Sequence, residues 1–139
     1  MDGRELTEGC QKDDKRMVEG FFITGTGTGV GKTIVAASLV AALRMRGVEA
    51  CGSKPIESGC MRDPASGALL PADGALLHQA SGGMESLLLI TPLRFEAPLA
   101  PLAAAREEGV EVRVDIALKA VKDLRGIYPT VIVEGIGGL

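Results

Sequence analysis

A glycine-rich loop, Gly25-Thr26-Gly27-Thr28-Gly29-Val30-Gly31-Lys32-Thr33, stands between a short apolar run and a stretch rich in Ala, Leu and Val. No other segment narrows the possible folds as much. Backbone N–H groups that converge on anionic oxygens must approach closely and adopt unusual dihedrals, which glycine permits. Gly25, Gly27, Gly29 and Gly31 supply that freedom. Lys32 can reach β- and γ-phosphates, and the Thr33 hydroxyl can take a magnesium position. A helix starting here points its N-terminal dipole at the phosphates. Gly29, Val30, Gly31, Lys32 and Thr33 are therefore the expected cradle of a nucleoside triphosphate. The strict motif has four residues between its first glycine and G-K-T, whereas five separate Gly25 from Gly31. The strand, loop and helix context supports the assignment all the same. A Rossmann fingerprint does not fit, because its last glycine falls on Val30 or Lys32.

Along the rest of the chain, Phe21-Phe22-Ile23 is expected as a buried strand and Thr33–Arg46 as a helix ended by Gly47. Val48–Ser53 is a second expected strand, closed by Pro55. Gly59–Ala72, rich in Gly, Pro, Ala and Ser, is expected as an exposed loop. Asp73 stands where an N-cap belongs, ahead of a helix over Gly74–Ala80. Leu87–Ile90 is a third apolar run, and three prolines exclude regular structure from Thr91–Pro101. Ala103–Glu108 and Val114–Leu124 are expected helices. Val131-Ile132-Val133 is a fourth buried strand, ending in Glu134 and then Gly135-Ile136-Gly137-Gly138.

Continuous apolar strands alternating with helices predict an α/β, P-loop NTPase-like domain over residues 20–139: a mostly parallel sheet with helices on both faces. Ligands of such sheets sit beyond the carboxyl ends of the strands. Three expected strands end there in candidate site groups: the glycine loop after Ile23, Lys54 after Ser53, and Glu134 after Val133. A second lysine facing a transferring phosphoryl group would stabilise developing charge, although a strand-end lysine also serves as a plain solvated charge. Ser58 could donate to a substrate oxygen or belong to a turn. Asp73 is either a helix cap or a magnesium ligand, and Glu134 either a solvated strand end or a magnesium-holding acid. His78 is expected to be exposed rather than catalytic, and Cys51 to be a small buried hydrophobe.

With 46% apolar but only 3% aromatic residues, the core has to be aliphatic. A net charge of −3 gives no reason to expect nucleic acid as a partner. No apolar stretch approaches the roughly 20 residues that span a bilayer. The first nineteen residues mix charges without apolar periodicity, and a disordered leader is expected there. Cys10, Cys51 and Cys60 lack metal-ligand spacing, which fits reduced thiols in the cytoplasm.

Taken in order, the segments F-F-I-T-G-T-G-T-G-V-G-K-T, G-S-K-P-I-E-S-G, P-A-D, T-P-L-R-F-E-A-P-L-A-P-L-A-A and V-I-V-E-G-I-G-G resemble one family, the dethiobiotin synthetases. The loop is generic, but K-P-x-x-S-G and V-E-G-x-G-G at these spacings make the match specific. The resemblance implies closure of a ureido ring on 7,8-diaminononanoate with carbon dioxide or bicarbonate, ATP and magnesium. The route would run through a carbamate and a carbamic-phosphoric anhydride. It also implies that Lys32 and Lys54 flank the transferring phosphoryl group and that Thr33, Asp73 and Glu134 hold magnesium. Thr28 and Ser58 would contact the substrate. The resemblance also implies a homodimer for the full-length family. Gly27 stands where its pattern usually has Asp.

A doubly wound domain continues beyond a strand and glycine turn such as the one ending at Leu139. The expectation is a C-terminally incomplete chain, poorly folded or inactive by itself. A non-catalytic nucleotide-binding remnant is the alternative, and another P-loop amide-forming synthetase is a second.

Overall fold

The computed structural model describes residues 19–138. The leader expected over residues 1–19 lies outside them, except that Glu19 already opens the first strand. In chain order the elements are β1 (Glu19–Ile23), α1 (Lys32–Met45), β2 (Ala50–Ser53), β3 (Ile56–Glu57), β4 (Met61–Arg62) and β5 (Leu69–Leu70). There follow α2 (Ala72–Ala80), α3 (Leu87–Ile90), β6 (Leu93–Arg94), α4 (Pro101–Glu107), α5 (Val114–Ile127) and β7 (Thr130–Glu134).

The main sheet is parallel with strand order β1-β7-β2. Ile23 pairs with Glu134, and Ser53 with Val133. The last strand thus lies between the first two, and Glu134 emerges from the middle of the sheet. β3 and β6 form a short parallel pair, and β4 and β5 a short antiparallel one.

Small residues let the helices sit close to this sheet. α1 buries Ala36, Ala37 and Val40, which join Ala50, Cys51, Leu77, Ile90, Leu124, Val131 and Ile132 in one aliphatic core. Successive strand residues face opposite sides of a sheet. All four residues of β2 are buried, so both of its faces are covered, as expected of a parallel sheet. Gly47, at φ 80°, ends α1 as expected. Its N–H donates to the Arg44 carbonyl and the Val48 N–H to the Leu43 carbonyl, which satisfies the last turn.

Several expectations are corrected. Phe21 and Phe22 belong to a strand but are 44% and 66% exposed. β2 has the same single strand neighbour yet is buried throughout, because among the described residues helices pack on β2 far more than on β1. Leu87–Ile90 is a helical turn rather than a strand: the Ser86 hydroxyl accepts the Leu89 N–H at 3.2 Å and starts it. Thr91–Pro101 does hold a regular element, since β6 follows Pro92 and the Leu93 N–H reaches the Pro55 carbonyl. Gly59–Ala72 contains the β4–β5 hairpin, and Cys60 within it is buried. Asp73 is not the N-cap of α2. That position is Pro71, which has no side-chain oxygen to offer.

Candidate active site

The parallel register brings the carboxyl ends of β1, β7 and β2 side by side. A cleft of about 850 Å³ opens over them. Thr28, Gly29, Gly31, Lys32, Thr33, Lys54, Ser58, Asp73 and Glu134 all line it. Val30 alone of the expected site residues does not. Its side chain turns back over Gly25, where an added Cβ would lie 2.9 Å from the Val30 Cγ2.

The loop leaves β1 and enters α1 through Gly29 and Gly31, both at positive φ. These values place its amides in a conformation that residues with a Cβ rarely adopt. The carbonyl of Gly27 accepts a hydrogen bond from Lys32 Nζ at 2.5 Å. The lysine thus folds back over its own loop.

The glycine turn after β7 packs on the other side of the loop. A Cβ added at Gly138 would stand 2.5 Å from the Gly27 backbone nitrogen. A Cβ at Gly135 would be 2.7 Å from Phe22. The two glycine segments, far apart in sequence, therefore share one backbone contact.

Beyond the loop, one ammonium and two carboxylates form the centre of the cleft. Lys54 donates to Asp73 and, at 3.0 Å, to Glu134 Oε1. The Thr33 hydroxyl donates to the same Glu134 oxygen at 2.8 Å. Burial works against the Lys54 ammonium, but its hydrogen bonds to Asp73 and Glu134 and their charges outweigh it, holding the pKa above the ordinary value. The Glu134 side chain is 1% exposed, and its Oε2 is buried without a partner. A buried carboxylate oxygen left open in this way suits a cation.

Magnesium keeps several waters and is usually held by one or two carboxylates plus substrate phosphates. Thr33, Glu134 and Asp73 fit that requirement. Among the described residues no cluster of three His, Cys, Asp or Glu forms.

Glu57, which lines the cleft, makes a contact that the sequence does not signal. The Glu57 carboxylate accepts the Asp73 N–H at 3.0 Å and the Gly74 N–H at 2.9 Å. No local spacing signals this, because the partners are 16 and 17 residues apart. Burial pushes the Glu57 carboxyl up, against the two backbone bonds that favour its charged form. Pro98, Leu99, Ala100 and Pro101 of the proline-rich segment form another wall of the cleft. Cys51 and Cys60 are buried free thiols, each pushed up to about 11, chiefly by burial. His78 does not line the cleft.

A family model described as an AAA domain matches residues 19–139. An ATP-dependent dethiobiotin synthetase of Anaeromyxobacter dehalogenans strain 2CP-C is 48% identical over 122 residues, covering 88% of this chain and 52% of that protein. One of Thermodesulfovibrio yellowstonii is 44% identical over 123 residues, covering 88% and 50%. One of Xanthomonas oryzae is 40% identical over 118 residues, covering 85% and 52%. The chain spans about half the length of the curated relatives it matches. It belongs to the AAA domain family and is a relative of the ATP-dependent dethiobiotin synthetases.

Proposed function

We propose that the chain carries the ATP-handling part of a ligase that converts 7,8-diaminononanoate to dethiobiotin in biotin biosynthesis. The observation that carries this reading is the meeting of Lys32, Lys54 and the half-satisfied Glu134 in one cleft.

The chemistry needs a leaving group. One amine of the diamine and carbon dioxide give a carbamate with loss of a proton. Ring closure on a free carbamate would have to expel hydroxide. Transfer of the γ-phosphoryl group from ATP to a carbamate oxygen, with release of ADP, gives a mixed anhydride. The second amine then attacks its carbonyl carbon and phosphate departs.

The loop amides and the α1 dipole would hold the β- and γ-phosphates. Lys32 would leave the Gly27 carbonyl for phosphate oxygens, and Lys54 would approach the transferring group from the opposite wall. Positioned positive charge of this kind is worth most in a cleft that excludes water. Magnesium, held by Thr33, Asp73 and Glu134, would neutralise charge on the phosphate oxygens. Thr28 and Ser58 line the space left for the diamine or its carbamate. A cytoplasmic setting agrees with the free thiols of Cys51 and Cys60, and a homodimer belongs to the same reading.

The test is incubation of the chain with ATP, magnesium, bicarbonate and 7,8-diaminononanoate, with dethiobiotin followed by mass spectrometry. Dethiobiotin formation that is lost in Lys32→Ala supports the proposal and overturns the expectation that this chain is inactive alone. ATP binding that the diamine neither strengthens nor turns over favours a non-catalytic nucleotide binder.

A further inference from the structure

We infer that Glu57 is a positioning residue of this cleft, acting through Asp73. The inference rests on the reading of Asp73 as a magnesium-side carboxylate. Its geometry, however, stands on its own.

α2 begins without a side-chain cap of its own, because Pro71 occupies the N-cap. The first amides of a helix need acceptors. Glu57 supplies them from a different element: one carboxylate oxygen takes the Asp73 N–H and the other the Gly74 N–H. Both oxygens are used and the residue is 5% exposed, so it is not free to bind a substrate amine. A buried carboxylate at a helix N-terminus also faces the positive end of the dipole.

The tied amides are those of Asp73 itself and its neighbour, so the backbone that aims the Asp73 carboxylate is fixed. That carboxylate accepts from Lys54, which in turn reaches Glu134. Glu57 is held in place by β6, since its carbonyl accepts the Phe95 N–H at 2.9 Å. The opposite side of the turn is also closed. A Cβ added at Gly74 would collide with the Thr91 side chain, so glycine lets α2 pack closely against Thr91. The segment Lys54–Glu57 thus supplies both the ammonium that Asp73 touches and the carboxylate that sets its backbone.

Two measurements on Glu57→Gln, Asp73→Asn and the double variant test the assignment. The first is backbone amide exchange by NMR or mass spectrometry, which needs no ligand. Glu57→Gln should speed exchange at Asp73 and Gly74 while leaving α1 and β7 protected. Unchanged protection at Asp73 and Gly74 overturns the inference.

The second is ATP affinity as a function of manganese concentration. Removing a group behind a metal ligand typically costs about ten- to a hundredfold in metal affinity. Glu57→Gln should raise the manganese requirement in that range and add little to the effect of Asp73→Asn. Fully additive losses would show that Glu57 acts independently of Asp73, against the inference. If Asp73→Asn leaves the manganese requirement unchanged, the magnesium reading fails, and the exchange measurement alone decides the role of Glu57. Glu57→Asp, one methylene shorter but still charged, replaces Glu57→Gln in both measurements if that variant does not fold.

Discussion

Replacing Lys54 with methionine isolates the electrostatics of the cleft, because Met retains the aliphatic stem and removes the ammonium. The Lys54 side chain is 9% exposed and its partner Glu134 1% exposed. Losing one member of a buried pair leaves an uncompensated charge, at a cost of about 3–5 kcal/mol. Asp73 is 40% exposed at its side chain, so water screens its share and most of the loss falls on the Lys54–Glu134 contact. Domains of this kind are stable by only about 5–15 kcal/mol, which makes the loss large.

The assay is urea unfolding followed by circular dichroism. With a slope of about 2 kcal/mol per molar urea, the midpoint should fall by roughly 2 M at constant slope. Lys54→Met/Glu134→Gln removes the stranded charge and should recover about 2 kcal/mol of that loss. The Lys54 pKa is raised by folding from its ordinary 10.5. Its stabilisation is therefore complete below that value and disappears only as pH climbs through the folded-state pKa. The difference between wild type and Lys54→Met should then hold at neutral and mildly alkaline pH. A neutral Lys54→Met, or a double variant no better than the single one, would refute the reasoning.

Gly138→Ala places a Cβ 2.5 Å from the Gly27 nitrogen and 2.7 Å from the Thr26 carbonyl carbon, so fluorescent-nucleotide titration should show affinity reduced on the order of tenfold, about 1.4 kcal/mol. Ser81→Ala leaves the buried Gly52 N–H without the hydroxyl that now accepts it at 2.9 Å, which should cost about 1–3 kcal/mol in chemical denaturation. The Cys51 thiol rises from 9.0 to about 11. Its unfolded form ionises first, so its contribution is constant below pH 9.0 and declines toward about 11 as pH rises. Iodoacetamide at mildly alkaline pH should leave Cys51 and Cys60 unmodified in the folded chain, and peptide mapping that finds them alkylated there would contradict their burial.

The parts of the site that are contiguous in the chain were legible. The Gly25–Thr33 loop, its strand and its helix carry their own signals, and apolar runs marked where Lys54 and Glu134 leave the sheet. Partnerships across the fold were not legible. Thr33 meets Glu134 across 101 residues and Lys54 meets it across 80, and nothing in local periodicity inserts β7 between β1 and β2. Asp73 stood at a plausible cap position, but the capping group came from Glu57 on another element. Leu87–Ile90 is too short for periodicity to separate strand from helix, and Ser86 decided it. The phenylalanines of β1 have core-like identity, yet hydrophobicity says nothing about which strand the helices cover.

That thin cover of β1 has a consequence for the order in which the protein opens. β1 supports the phosphate loop but pairs only with β7 among the described residues, while Phe21 and Phe22 contribute little burial. Segments with few buried contacts open at the lowest free energy. The loop is therefore anchored to an element with little burial to hold it closed, and its phosphate-binding shape and the strand's persistence are two readings of one equilibrium. A nucleotide at a hundred times its Kd would shift that equilibrium by about 2.7 kcal/mol. Occupancy of the cleft would then be reported by slower exchange along β1, in amides that never touch the nucleotide.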